Sequence, residues 1–144
     1  MPEVSQTVAD SLAEHGWSQA DTALGRGWRE NAVLERELRA LARTQTVRAS
    51  ARVAEKVAGL IDQCLIVGQS LSLAAGQRGL TFIGHIGEDI TFDAQCHETS
   101  GVEPKRGAPM RVVAPGIISE ARRVVLVKAD VAPKPAPRTR RTQK

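Results

Sequence analysis

The chain has 144 residues, 42% of them hydrophobic but only 3% aromatic, with no Tyr. That suffices for one modest domain with extensions, whose core must be built from Val, Ile, Leu and Ala. The net charge of +4 is unevenly placed: residues 1–26 sum to −3 and residues 133–144 to +5, so the basic pI reflects the end of the chain. The two Cys, without a basic or apolar start, read as reduced thiols rather than a secreted disulfide framework. No apolar run reaches the roughly 20 residues of a membrane span. From these features we expect neither a secreted nor a membrane-spanning class but a soluble, cytoplasmic protein.

Residues 1–26 are polar and acidic, with one short amphipathic piece, VADSLAEHGW, and glycines at 16 and 25. They read as a weak helix followed by a flexible lead-in. Residues 27–76 form the helical region. Between 28 and 75 there is no Pro, and Glu, Arg, Leu and Ala dominate. Leu34, Leu38 and Leu41 recur at helical spacing, and after a weak patch the pattern resumes at Val53, Val57, Leu60, Cys64, Val67 and Leu71. The period is near 3.5, as in a coiled coil or bundle. Ala42, Thr46 and Ala49 fill the seam between the two runs, and this weak patch admits a break or bend within 43–47. A continuous helix of this kind has nowhere to bury its seam within one chain, so a homodimer is expected.

AAGQRGL ends the helix, and the pattern then changes. LTFIGHIGEDITF alternates, and APMRVVAPGII and ARRVVLVKADV are short β-branched runs separated by turn residues. Residues 77–132 read as a small all-β module, marginal alone at this size. The fold class is therefore α+β: an N-terminal long helix or coiled-coil dimerisation region followed by a small all-β domain. Residues 133–144, PKPAPRTRRTQK, alternate Pro with basic residues and are expected to be disordered.

The stretch FDAQCHETSG puts Asp93, Cys96, His97 and Glu98 within six positions. A nucleophilic Cys needs its base in contact, yet adjacent strand residues point to opposite faces. The structural reading is stronger: Asp93 caps a turn, Phe92 fills a core and His97 makes a buried hydrogen bond. A zinc site from Cys64, His85, Cys96 and His97 lacks the paired-ligand spacing typical of zinc. GQRGL and GHIGEDI are not phosphate loops, since neither continues to Gly-Lys-Ser/Thr. We expect no enzyme, no metal and no cofactor. Pro115–Gly116 reads either as a β-turn with Gly at positive φ or, with Val113 and Ile117, as an exposed apolar edge. Arg122 and Arg123, neighbours in a strand, would place only one side chain toward a partner.

GLTFIGHIGEDITFDAQCHET followed by MRVVAPGIISEARRVVLVKADV, behind a helix, resembles the GrpE family, the nucleotide exchange factors of DnaK-class chaperone ATPases. The likeness covers residues 79–131. Phe92, Asp93, His97, Gly116, Ala129 and Val131 carry the motif, while Ala94 stands where the family usually has Pro and Ile117 where it usually has an aromatic. The resemblance implies a stress-response co-chaperone: a homodimer whose β-module binds the chaperone ATPase domain and promotes ADP release. It implies a contact face at Val113, Pro115, Gly116, Ile117 and Arg123. The family's long helix and second shorter helix build a four-helix bundle in the dimer. Here either the stalk is cut short, with a break near 44–47 or Gly59, or the second helix is nearly absent. A member that binds a specialised chaperone without efficient exchange is a further alternative. The rival from another class is a helical-dimer adaptor that binds nucleic acid or acidic partners through the basic tail. That tail lacks the interleaved aromatics of a base-stacking site.

Overall fold

A computed structural model describes residues 3–135. The architecture is α+β, with a long helical region followed by a small β-sheet domain. Most of the expected disordered tail, from residue 136 onward, lies outside the described residues.

Three helices come first: α1 (Glu3–Ala42), α2 (Gln45–Arg48) and α3 (Ala51–Gln77). The break falls within the weak patch. Thr44 turns extended, and its hydroxyl donates to the Leu41 carbonyl at 2.7 Å. Ser50 is also extended, and its side chain accepts from the Val53 amide to cap α3. Buried Val47 pins the short helix between them.

The chain then doubles back. The Asn31 side-chain amide donates to the Cys64 carbonyl at 3.0 Å, and Asp21 meets Arg78 just past the end of α3. The helical region is therefore an antiparallel hairpin, and the argument from a lone rod with no intrachain partner is corrected. Val57 and Cys64 are buried inside the hairpin, and Leu38 and Leu71 are half-buried. The other seam residues, Leu34, Leu41, Val53, Leu60 and Val67, remain 44–52% exposed. At helical geometry these five lie along the same side of the α1–α3 seam, away from the β-domain.

A second correction concerns residues 3–26. They form no flexible lead-in but continue directly into α1. Glycines at 16, 25 and 27 each cost about 1 kcal/mol of helix propensity, and tertiary contacts of residues 21–29 offset it. Gly25 shows how: a Cβ there would lie 2.8 Å from Ile117 Cγ2. Only a glycine lets α1 approach the β-domain this closely.

The β-domain has seven short strands: β1 (Leu80–Ile83), β2 (Asp89–Thr91), β3 (His97–Glu98), β4 (Pro109–Ala114), β5 (Gly116–Ser119), β6 (Val124–Val127) and β7 (Ala129–Pro133). They form two sheets, ordered β1-β5-β6 and β2-β4-β7-β3. All pairs are antiparallel except β3 with β7.

The first sheet shares its core with the hairpin. Ala75, Leu80, Ile117 and Val127 pack with Leu24, Trp28, Phe82 and Leu126. The Trp28 and Phe82 rings stack at 3.8 Å. The second sheet closes over Phe92, Met110, Val112 and Val131. A module too small to bury a core alone is thus completed by α1 and α3.

Helix α3 is apolar along most of its length. Its 18-residue window of mean hydropathy 1.4 passes the length and composition test for a membrane span, a run the sequence reading did not recognise, and only 11% of that window is buried. Packing on α1 covers one side of it.

Gly25→Leu should destabilise the chain by about 1–3 kcal/mol in urea unfolding, because overpacking against Ile117 outweighs the gain in helix propensity. Gly59→Ala, where nothing lies within 4 Å of the added carbon, should stabilise it by about 0.5–1 kcal/mol.

Candidate functional site

The FDAQCHET segment folds as a self-contained corner. The Asp93 carboxylate accepts from the Gln95 amide at 3.0 Å, a turn closed by its own side chain. The Asp93 amide donates to His97 Nδ1 at 2.9 Å, and the Asp93 carbonyl accepts from the amides of Cys96 and His97. The His97 bond is partly exposed rather than buried. Phe92 anchors the corner in the second core.

The turn thus engages His97 through Nδ1. Cys64 sits inside the helical hairpin, away from Cys96 and His97. Among the described residues no three His, Cys, Asp or Glu side chains group where they could hold a metal ion. An open groove of about 710 Å³ runs past this corner, lined by Asp89, Asp93, Cys96, His97, Met110 and Lys134 among others. Lys134 and then Arg111 hydrogen-bond to Asp89 and hold its carboxyl below the usual carboxylate range.

The motif residues, far apart in the chain, converge. His97 pairs with Ala129 in the parallel β3–β7 ladder, and the Ala129 amide donates to the Cys96 carbonyl at 2.8 Å. A Cβ on Gly116 would stand 2.7 Å from both the Ala129 nitrogen and the Val127 carbonyl oxygen. The glycine is required by close backbone approach. It has no positive φ, so the Pro115–Gly116 turn with Gly at positive φ is corrected. Phe92 and Val131 complete the same core.

The expected apolar edge is corrected as well. Pro115, Gly116 and Ile117 are buried, with Ile117 at 0% exposure against α1. Of that edge only Val113 is open. It lines a groove of about 290 Å³ between α1 and the β-domain, with Val33, Arg36, Ile86, Arg111 and Pro133. Arg122 and Arg123 belong to the β5–β6 turn rather than a strand, and Arg123 takes the left-handed conformation at φ 53°. Arg123 is exposed, but Arg122 is engaged elsewhere. The structure does not bring Val113 and Arg123 together. Val113 faces the Val33 level of α1, while Arg122 reaches Asp21, three turns or about 18 Å away along that helix.

The joint between hairpin and β-domain contains residues the sequence reading did not single out. The Asp21 carboxylate is buried. It accepts from Arg78 at 2.7 and 3.1 Å and from Arg122 at 2.9 Å. Trp17 lies over the Arg78 guanidinium at 4.5 Å, and the hydrogen bond to Asp21 raises the Arg78 pKa further. Arg29, on the same face of α1, pairs with Asp130 of β7. Arg36 donates to the Ile86 carbonyl at 3.1 Å. One signal was available: Asp21, Gly25 and Arg29 recur every four residues and so share a helix face.

The arrangement presents a β-domain held in one orientation, with an open apolar position at Val113 and a free cation at Arg123. No family model matches the chain, and neither a curated protein nor a solved structure matches it.

Asp21→Ala leaves two guanidinium groups without their shared acceptor. Because Arg78 and Arg122 side chains keep 38% and 29% exposure, water can partly replace it. The expected loss is about 2–3 kcal/mol in urea unfolding. Asp10→Ala, on the exposed part of α1, should change stability by less than about 0.5 kcal/mol.

Proposed function

We propose that the chain is a GrpE-like nucleotide exchange factor, a cytoplasmic homodimer whose β-domain binds the ATPase domain of a DnaK-class chaperone and promotes ADP release. The observation that carries this reading is the convergence of His97, Gly116 and Ala129 at one corner of the β-domain. Those positions carry the resemblance in sequence, and here each has a specific structural task. The order of parts supports it too: a helical hairpin with an unpaired apolar face, then a β-domain fixed to its side.

The dimer follows from that face. Leu34 and Leu41 on α1, and Val53, Leu60 and Val67 on α3, are spaced by sevens and stay half-exposed. Two copies pairing through them would place four helices around one core, with both β-domains outside. Helix α3 offers about 40 Å of contact, enough for an interface of the standard size near 1,600 Å².

Exchange of this kind needs no covalent step. The β-domain binds the open, nucleotide-poor ATPase better than the closed ADP form, and release follows from the difference in affinity. Reversing a 1:99 population requires about 5.5 kcal/mol of preference. A β-domain clamped to its helices loses little freedom on docking, which leaves more of its contact energy for that preference.

The test is stopped-flow release of a fluorescent ADP analogue from the host's DnaK-class ATPase, with the full chain first shown to be a dimer by sedimentation. We expect a large acceleration, reduced tenfold or more by Val113→Asp, a substitution at an exposed position that should leave the fold intact. No acceleration by the folded dimer would overturn the reading.

A further inference from the structure

The turn of the helical hairpin lies far from the β-domain, and its charge is unusual. Arg43, Arg48 and Arg52 are exposed, as is Lys56 one turn further on, and none of the four side chains has an ion pair or hydrogen-bond partner among the described residues. Gln45 and Thr46, also exposed, add neutral donors between them. The acids nearby do not balance this cluster. Glu35 is held by Arg39 at 3.0 Å, which leaves Glu37 on α1 and Glu55 on α3 against the four cations.

The fold accounts for part of the cluster. Arg39 and Arg43 stand at the C-terminal end of α1, where the helix dipole favours cations. Arg52 and Lys56 stand in the opposite situation. They occupy the first two turns of the 27-residue α3, whose opening turn carries no acid. There the dipole disfavours them, and Glu55 is the single acid beside them. Cations kept where local electrostatics opposes them point outward to an anionic partner.

We propose that this hairpin turn is a docking surface for the sugar-phosphate backbone of nucleic acid, held by phosphate contacts without base readout. Arginine forks match phosphate oxygens. The surface is convex, and none of the described grooves is lined by residues 39–64. An acidic peptide generally needs a groove to fix it, whereas a duplex presents a regular array of charge that a protruding basic end can meet. A membrane surface would call for apolar side chains to insert at the tip, but Val47 is buried, and the exposed Leu41 and Val53 belong to the seam proposed for the second copy. The four aromatic residues all lie elsewhere, so bases are not stacked. This surface is distinct from the Val113 groove.

The test is fluorescence anisotropy of the full chain with a labelled duplex DNA across a salt series. The triple variant R43Q/R48Q/R52Q is compared with R138Q/R140Q/R141Q, and each is checked for unchanged thermal unfolding. Three phosphate contacts contribute a slope of about −2.7 in log K against log salt. We expect the first variant to lose a component of that size and the second to retain it. Equal slope and affinity for the wild type and the first variant would overturn the proposal. So would competition by polyglutamate or anionic vesicles as effective as that by unlabelled duplex.

Discussion

The buried carboxylate of Asp21 decides how the two halves of this molecule sit together. It is 2% exposed, and a charge so placed must be met by opposite charge and hydrogen bonds. Arg78 comes from the end of α3 and Arg122 from the β5–β6 turn, so one side chain on α1 ties three elements at a point. A different docking angle would leave that carboxylate unpaired. Apolar contact among Ile117, Leu24 and Trp28 supplies attraction without direction; the ion pairs supply the direction. Gly25 lets the helix come close enough for both.

The consequence for function is a rigid shoulder. The β-domain is braced along α1 at three levels, Asp21, Arg29 and Arg36, so a partner that meets the β-domain meets the helices as well. The opposite side of the hairpin is left apolar and open, and most of the apolar window of α3 is uncovered. These two sides divide the labour in the proposed account: one for a second copy, the other for the ATPase. The hairpin turn is a third, separately charged end.

Much of the architecture was legible because it is written locally. The change from a period near 3.5 to alternation around Gly76 and Gly79 placed the helix end and the first strand, and the weak seam at Ala42, Thr46 and Ala49 placed the break. The turn chemistry of Asp93 and the core role of Phe92 were readable for the same reason. What escaped was long-range. Gly25 looks like a helix breaker until Ile117, 92 residues later, is set against it. Asp21 reads as one more surface acid until Arg78 and Arg122 arrive. The run at Val113, Pro115, Gly116 and Ile117 looked like an exposed edge because apolar turn residues carry no mark of which side is covered, and the cover is α1 itself. The unexpected helical hairpin follows the same logic: a heptad pattern states that a seam must be buried, not whether its partner is another chain or the same one returning.

The claim on which the account rests is that α1 and the β-domain form one cooperative body through the Asp21 joint. Native-state hydrogen exchange of the full chain tests it directly. The account predicts that the amides of residues 21–29 and those of β1 and β5 are protected to the same free energy and open together. Rapid, unprotected exchange across residues 21–29 beside a protected β-domain would contradict it, and would return that segment to a flexible lead-in.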